Sequence, residues 1–92
     1  MVTLANGELA NFAANLRYLC ALEGPVSEVC RRMDLNRQQF ARYLTGTAKP
    51  SAHNVIRICE HFHIPENSLD LQHDQFVLQL RAGHATTRMH AS

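Results

Sequence analysis

Between Asn36 and Lys49 the chain reads NRQQFARYLTGTAK, and its hydrogen-bonding side chains fall in a pattern that suits base edges and phosphates. Arg37, Gln38, Gln39 and Arg42 lie away from Phe40 and Leu44 on a short helix, and Arg37, Gln38, Ala41 and Arg42 form its exposed strip: two residues at the start and two a turn later. An arginine pairs bidentately with guanine O6 and N7 and a glutamine with adenine N6 and N7, each good pair giving ~1–3 kcal/mol of discrimination. Asn36, Gln39 and Ala41 stand beside these base-reading candidates. The following loop, Thr45-Gly46-Thr47-Ala48-Lys49-Pro50, carries small hydroxyls and a lysine of the kind that grips backbone phosphate and fixes register without reading sequence. An ordinary polar helix surface is the plainer alternative.

Other reactive side chains point less far. Cys59-x-His61-x-His63 has the residue types of a zinc site, but on a helix Cys59 and His61 project about 200° apart, and no second ligand pair follows. No metal ligand is therefore assigned. Cys20, Cys30 and Cys59 are odd in number and sit in apolar helical stripes, which suits reduced core thiols in a cytoplasmic protein. None of the six histidines neighbours a Ser, Cys or carboxylate in a nucleophile arrangement, and no Gly-rich phosphate loop occurs, so neither a catalytic residue nor a cofactor is expected.

The elements that hold the strip follow from periodicity. Leu9, Phe12, Ala13, Leu16, Leu19 and Cys20 recur at helical spacing from a start at Asn6-Gly7 to Leu22, and Gly24-Pro25 ends that helix. Arg17 points off its stripe, towards either a phosphate or water. A second helix runs from Val26-Ser27 to Met33, with Val26, Val29 and Met33 apolar and Cys30 small enough for close approach of the next helix. Asp34 takes the left-handed position of a tight turn, Leu35 plugs the turn into the core, and Asn36 caps a third helix over 36–44. There Phe40 and Leu44 face inward with Tyr43 flanking them. Ser51 caps a fourth helix in which Val55, Ile58, Cys59 and Phe62 repeat at helical spacing, and Pro65 bars its continuation. Glu66 to Leu71 adds a short helix. Beyond Gln72 the apolar residues fit a helix through Phe76, Val77 and Leu80 or a strand through Phe76, Leu78 and Leu80, the helix being favoured, and HATTRMHAS has no pattern and reads as disordered.

Ninety-two residues with 46% hydrophobic content suffice for one small core. The net charge of +1 hides an uneven distribution. Arg31, Arg32, Arg37, Arg42, Lys49 and Arg57 face only Asp34 within 31–57, whereas 58–80 holds Glu60, Glu66, Asp70 and Asp74 with no Lys or Arg. A basic half suits a phosphate partner, and equally a solvated basic face. No basic start followed by an apolar run marks a secretory signal, and no apolar stretch approaches the ~18 residues of a membrane span.

From Leu16 to Ile64 the sequence resembles the lambda-repressor-like, Cro and Xre family of helix-turn-helix DNA-binding domains. The resemblance lies in NLRYL, EVCRRMDLNRQQFARYL, GTAKPS with its Gly-x-x-x-Pro-Ser run at 46–51, and NVIRICEHFHIP, a little over half of the chain. It implies an all-α, compact bundle of about five helices that binds operator DNA as a dimer and regulates transcription in a bacterium or phage. By position, Arg37, Gln38 and Arg42 take base-contacting places, with Asn36, Gln39 and Ala41 nearby, while Thr45, Thr47 and Lys49 take the backbone-gripping loop. Three departures stand out: Asp34 replaces the usual turn glycine, Val26 replaces a glutamine for which Ser27 substitutes in part, and Leu44 replaces an acidic partner of a helix-one arginine. Independently of the resemblance, Ile64, Leu69 and Leu71 are expected to close the core, which sets domain limits of 1–71 with a 72–92 extension serving as dimerisation segment or linker. An antitoxin or anti-regulator that binds a protein through its helices and the 69–80 segment is the alternative, and a C-terminal effector domain beyond this chain is a further expectation.

Overall fold

In a computed structural model the backbone is described over residues 2–91 and the side chains over residues 9–82. The first helix, α1 (Val2–Glu23), buries Phe12, Ala13, Leu16, Leu19 and Cys20, the stripe that the spacing predicts. It begins before the expected Asn6-Gly7 start, because an interior glycine weakens a helix by about 1 kcal/mol without ending it. Leu22, at the end of the stripe, is 59% exposed. Asn15 is instead completely buried on it, held by hydrogen bonds to elements far along the chain.

Two short helices follow, α2 (Val26–Met33) and α3 (Arg37–Thr45), and then α4 (Ala52–Phe62). At 8, 9 and 11 residues they are too short to persist alone and depend on shared burial. α2 buries Val29, Cys30 and Met33, whereas Val26, placed in the first turn beyond the core, stays exposed. α3 buries Phe40 and Tyr43 and leaves Leu44 half-buried, so Tyr43 rather than Leu44 is the second core residue. Its ring meets Phe12 and Phe40 edge-on, each at 6.3 Å between centroids, and its hydroxyl accepts a 2.9 Å hydrogen bond from Asn54 Nδ2. That donor is what lets a phenol occupy the interior.

The three short helices close alike. Asp34, Gly46 and His63 each adopt the left-handed conformation, with φ of 57°, 76° and 59°. In each case the next residue's N–H returns to the carbonyl five positions back: Leu35 to Cys30, Thr47 to Arg42 and Ile64 to Cys59. Such a closure satisfies carbonyls that a helix end leaves open, and Leu35 and Ile64 then pack against the core. Only one of the three is glycine, so Asp34 and His63 bear the steric penalty of a Cβ at positive φ.

A 3-10 turn (Ser68–Asp70) buries Leu69, and α5 (His73–Ala91) enters the same core through Phe76, 1% exposed. The first turns of α5 therefore share a core with the segment expected to end at residue 71, and helix rather than strand is the form of 73–82. The backbone of α5 continues to Ala91 through the unpatterned segment, and Ser92 lies outside the described residues. Among the described residues there are five α-helices and no strand, and the chain is all-α. No described helix is long and apolar enough to cross a membrane.

Cys20, Cys30 and Cys59 are free and buried in this core. Burial, then the Glu23 carboxylate and the Cys30 thiol, pushes the Cys20 pKa up to about 11; burial, then Glu66 and Asp70, does the same for Cys59. Their thiols stay protonated at neutral pH, which makes them poor nucleophiles and ligands.

Candidate nucleic-acid interface

α3 is held at both ends by groups from other elements. At its start, Asn36 Oδ1 accepts from the Gln39 backbone N–H at 3.0 Å, the N-cap that the sequence predicts. The preceding turn is tied twice: Arg57 Nη1 of α4 donates to the Asp34 carbonyl at 3.0 Å, and Cys30 Sγ donates to the Leu35 carbonyl at 3.0 Å. At its end, Arg17 of α1 donates through Nη1 to the Leu44 carbonyl. This contact gives Arg17 a protein partner instead of the expected water or phosphate. A cation on an open C-terminal carbonyl also complements the helix dipole. Gly46 closes the turn against α1, where a Cβ would stand 3.5 Å from the Leu9 carbonyl oxygen and 3.6 Å from Ala13 Cβ.

Between these ties, Arg37, Gln38, Gln39, Ala41 and Arg42 are all exposed. Among the described residues, no hydrogen bond or ion pair engages the side chains of Arg37, Gln38, Gln39 or Arg42. Neighbouring cations differ. Arg31 pairs with Glu28 at 2.7 Å, Arg32 with Glu23 at 3.1 Å, and Arg57 joins the Asp34 carbonyl and His53 Nε2. The Arg31 hydrogen bond holds the Glu28 carboxyl below its ordinary pKa. Of the basic half, Arg37, Arg42 and Lys49 therefore have side chains with no hydrogen-bond or ion-pair partner among the described residues, and all three belong to α3 or the loop after it.

The loop departs from expectation at its hydroxyls. Thr45 Oγ1 and Thr47 Oγ1 lie 3.2 and 3.3 Å from the Arg42 carbonyl and 3.1 Å from each other. A hydroxyl has one proton, so two hydroxyls sharing these contacts have both protons engaged within the chain. Phosphate oxygens only accept, so in this arrangement Thr45 and Thr47 close the helix rather than offer donors to a phosphate. Lys49 remains exposed, and Ser27, in the first turn of α2, is exposed with no bound partner among the described residues. Asn36 is exposed, with its side-chain oxygen accepting the capping hydrogen bond.

The Cys59-x-His61-x-His63 stretch separates as its helical spacing predicts. Cys59 is buried, His63 closes α4, and His61 Nε2 lies 2.7 Å from Glu23 Oε2 of α1. His61 thus has a partner across the fold. Among the described residues no group of three His, Cys, Asp or Glu side chains gathers around a point where a cation would fit.

Arg17, Asn54 and Arg57 are the supporting residues that sequence reading missed. Their partners are backbone carbonyls and a phenol 27, 11 and 23 positions away, with no spacing signal between them. Comparison with family models, with curated proteins and with solved structures gives no match to this chain.

Proposed function

We propose that this chain is a sequence-specific binder of double-stranded DNA that regulates transcription. In this reading α2, the Asp34 turn and α3 form a helix-turn-helix of the lambda-repressor-like, Xre type, and α3 enters the major groove. One observation carries it: α3 is buttressed on one side and at both ends, yet presents Arg37, Gln38, Gln39 and Arg42 with no internal partner. Burial of Phe40 and Tyr43 keeps the rod rigid, and an element that must dock in register benefits from such rigidity. Lys49 and Ser27 suit phosphates on either side of the groove. The action is occupancy: bound protein blocks or recruits polymerase, with no bond made or broken.

Two copies on a roughly palindromic site, their α3 helices ~34 Å apart, complete the proposal. A protein-binding module working through 69–80 has less to offer, because Leu69 and Phe76 are already buried in this chain's own core. Fluorescence anisotropy on a random duplex pool, followed by selection of bound sequences, tests the reading. The expected result is binding that weakens steeply between ~50 and ~200 mM salt and a two-fold symmetric consensus. No duplex binding at the lowest salt would sink it.

A further inference from the structure

A largely enclosed cavity of about 40 Å³ lies where α1, the loop after α3, α4 and the 3-10 turn meet. Leu9, Phe12, Pro50, Val55 and Leu69 make its apolar walls, and Lys49, Glu66 and Asp70 complete its lining. Phe12 and Leu69 are buried parts of the core, so the fold itself fixes the walls. The charged residues are less constrained. Lys49, Glu66 and Asp70 are exposed, and among the described residues none of their side chains has a hydrogen-bond or ion-pair partner, although opposite charges line one cavity. After burial itself, it is the Glu66 and Asp70 carboxylates that raise the Cys59 pKa, which places both near the same stretch of α4. An apolar cavity takes an apolar group more readily than water, while a cation and a carboxylate kept apart at its edge each favour a counter-ion.

We propose that this cavity binds a small zwitterionic α-amino acid with a short branched aliphatic side chain, of the size of valine. The ligand's carboxylate pairs with the Lys49 ammonium, its ammonium pairs with the Glu66 and Asp70 carboxylates, and its side chain enters the space between Phe12, Val55 and Leu69. Volume sets the size: the cavity admits an aliphatic group of about three carbons, and an aromatic ring exceeds it. Charge sets the class. A plain amine leaves Lys49 without a partner and a plain fatty acid leaves both carboxylates so, whereas a zwitterion completes the two sides and brings no net charge. Each pair lies against apolar walls, where water screens it less than on open surface. The site shares only Lys49 with the proposed DNA interface and stands whether or not the chain binds DNA.

Titration of the isotope-labelled full chain with L-valine at neutral pH, followed by amide chemical shifts, is the test. Saturable shifts at Phe12, Val55 and Leu69 are expected, with a dissociation constant on the order of 1 mM for a ligand this small. Isobutylamine is valine without its carboxylate and isovalerate is valine without its ammonium, and each is expected to bind about threefold weaker or worse. Lys49→Ala should weaken valine and isovalerate and leave isobutylamine unchanged. Glu66→Gln combined with Asp70→Asn should weaken valine and isobutylamine but not isovalerate. Phenylalanine should give no saturable shift at these amides. The three substituted side chains lack internal partners, so the free variants are expected to keep the wild-type spectrum away from the changed positions, and this is checked first. Equal affinity for valine and its two analogues overturns the proposal. Saturable shifts confined to other parts of the chain overturn it as well, and so does the absence of any shift at ~50 mM valine.

Discussion

The seam between α1 and α5 and the outer side of α3 use similar polar groups in opposite ways. At the seam, Asn15 is wholly buried and its amide is fully engaged: Nδ2 donates to the carbonyls of Leu69 at 3.0 Å and Leu71 at 2.8 Å, and Oδ1 lies 2.8 Å from His73 Nδ1. The two carbonyls fix which end of the amide is the donor, so His73 Nδ1 must carry the hydrogen. Tyr18 seals the contact, its ring edge-on to His73 and to Phe76. On α3 the amide of Gln38 and the guanidinium of Arg42 have none of this. Buried polar groups must be satisfied for the chain to fold, whereas exposed ones contribute little to stability and remain available to a ligand. Under the proposed DNA binding, stability and binding are therefore separable residue by residue.

The largest effect is expected at the seam. Asn15→Leu fills the space of the amide but leaves two carbonyls and a ring N–H unsatisfied, at a cost of about 3 kcal/mol in unfolding free energy, or roughly 15 °C in Tm. Urea and thermal unfolding measure it. A loss under ~1 kcal/mol would mean that the seam opens to water and that the contrast with α3 is one of degree.

A smaller effect is expected where Glu23 joins three helices. Desolvation pushes its carboxyl up, but hydrogen bonding and charge from His61, followed by Arg32, outweigh this and hold the pKa below its ordinary value of 4.5. With the folded value the lower one, the contribution to stability is complete above the ordinary value and disappears as pH falls through the folded one. Glu23→Gln should accordingly cost about 1 kcal/mol at neutral pH and nothing at the acid end, so the two unfolding curves converge on acidification. Curves that stay parallel down to low pH would show that packing, not charge, holds this junction.

Much of the scaffold was legible because local rules decide it. The Asn36 and Ser51 caps, the left-handed Asp34 and the Gly46 stop are each set by a few adjacent residues, and the structure has them where the spacing places them. Asn15 illustrates what stays hidden. It lies three residues from Phe12 and four from Leu19, squarely on the apolar stripe, but only its distant partners explain why an amide is tolerated there. Phe76 was ambiguous for the same reason, since helix and strand patterns both include it and only the pocket beside Tyr18 decides. For the candidate interface, outward orientation of Arg37, Gln38 and Arg42 could be read from the burial pattern of their neighbours. The inward-turned hydroxyls of Thr45 and Thr47 could not, because a hydroxyl's partner depends on turn geometry that composition does not specify.

The smallest effect on stability is expected at Lys49, and it gives the sharpest test of the contrast. Its ammonium group is exposed and without a partner, so Lys49→Ala should leave the unfolding free energy within ~0.5 kcal/mol of wild type. If the loop holds a phosphate, the same change removes one neutralised charge. The slope of log affinity against log salt should then flatten by about 0.9, equally on consensus and random duplexes. A marked loss of stability would mean that Lys49 already has a task inside the fold. An unchanged slope with full stability would move the phosphate contact away from this loop, leaving Ser27 and the flanks of α3 to supply it.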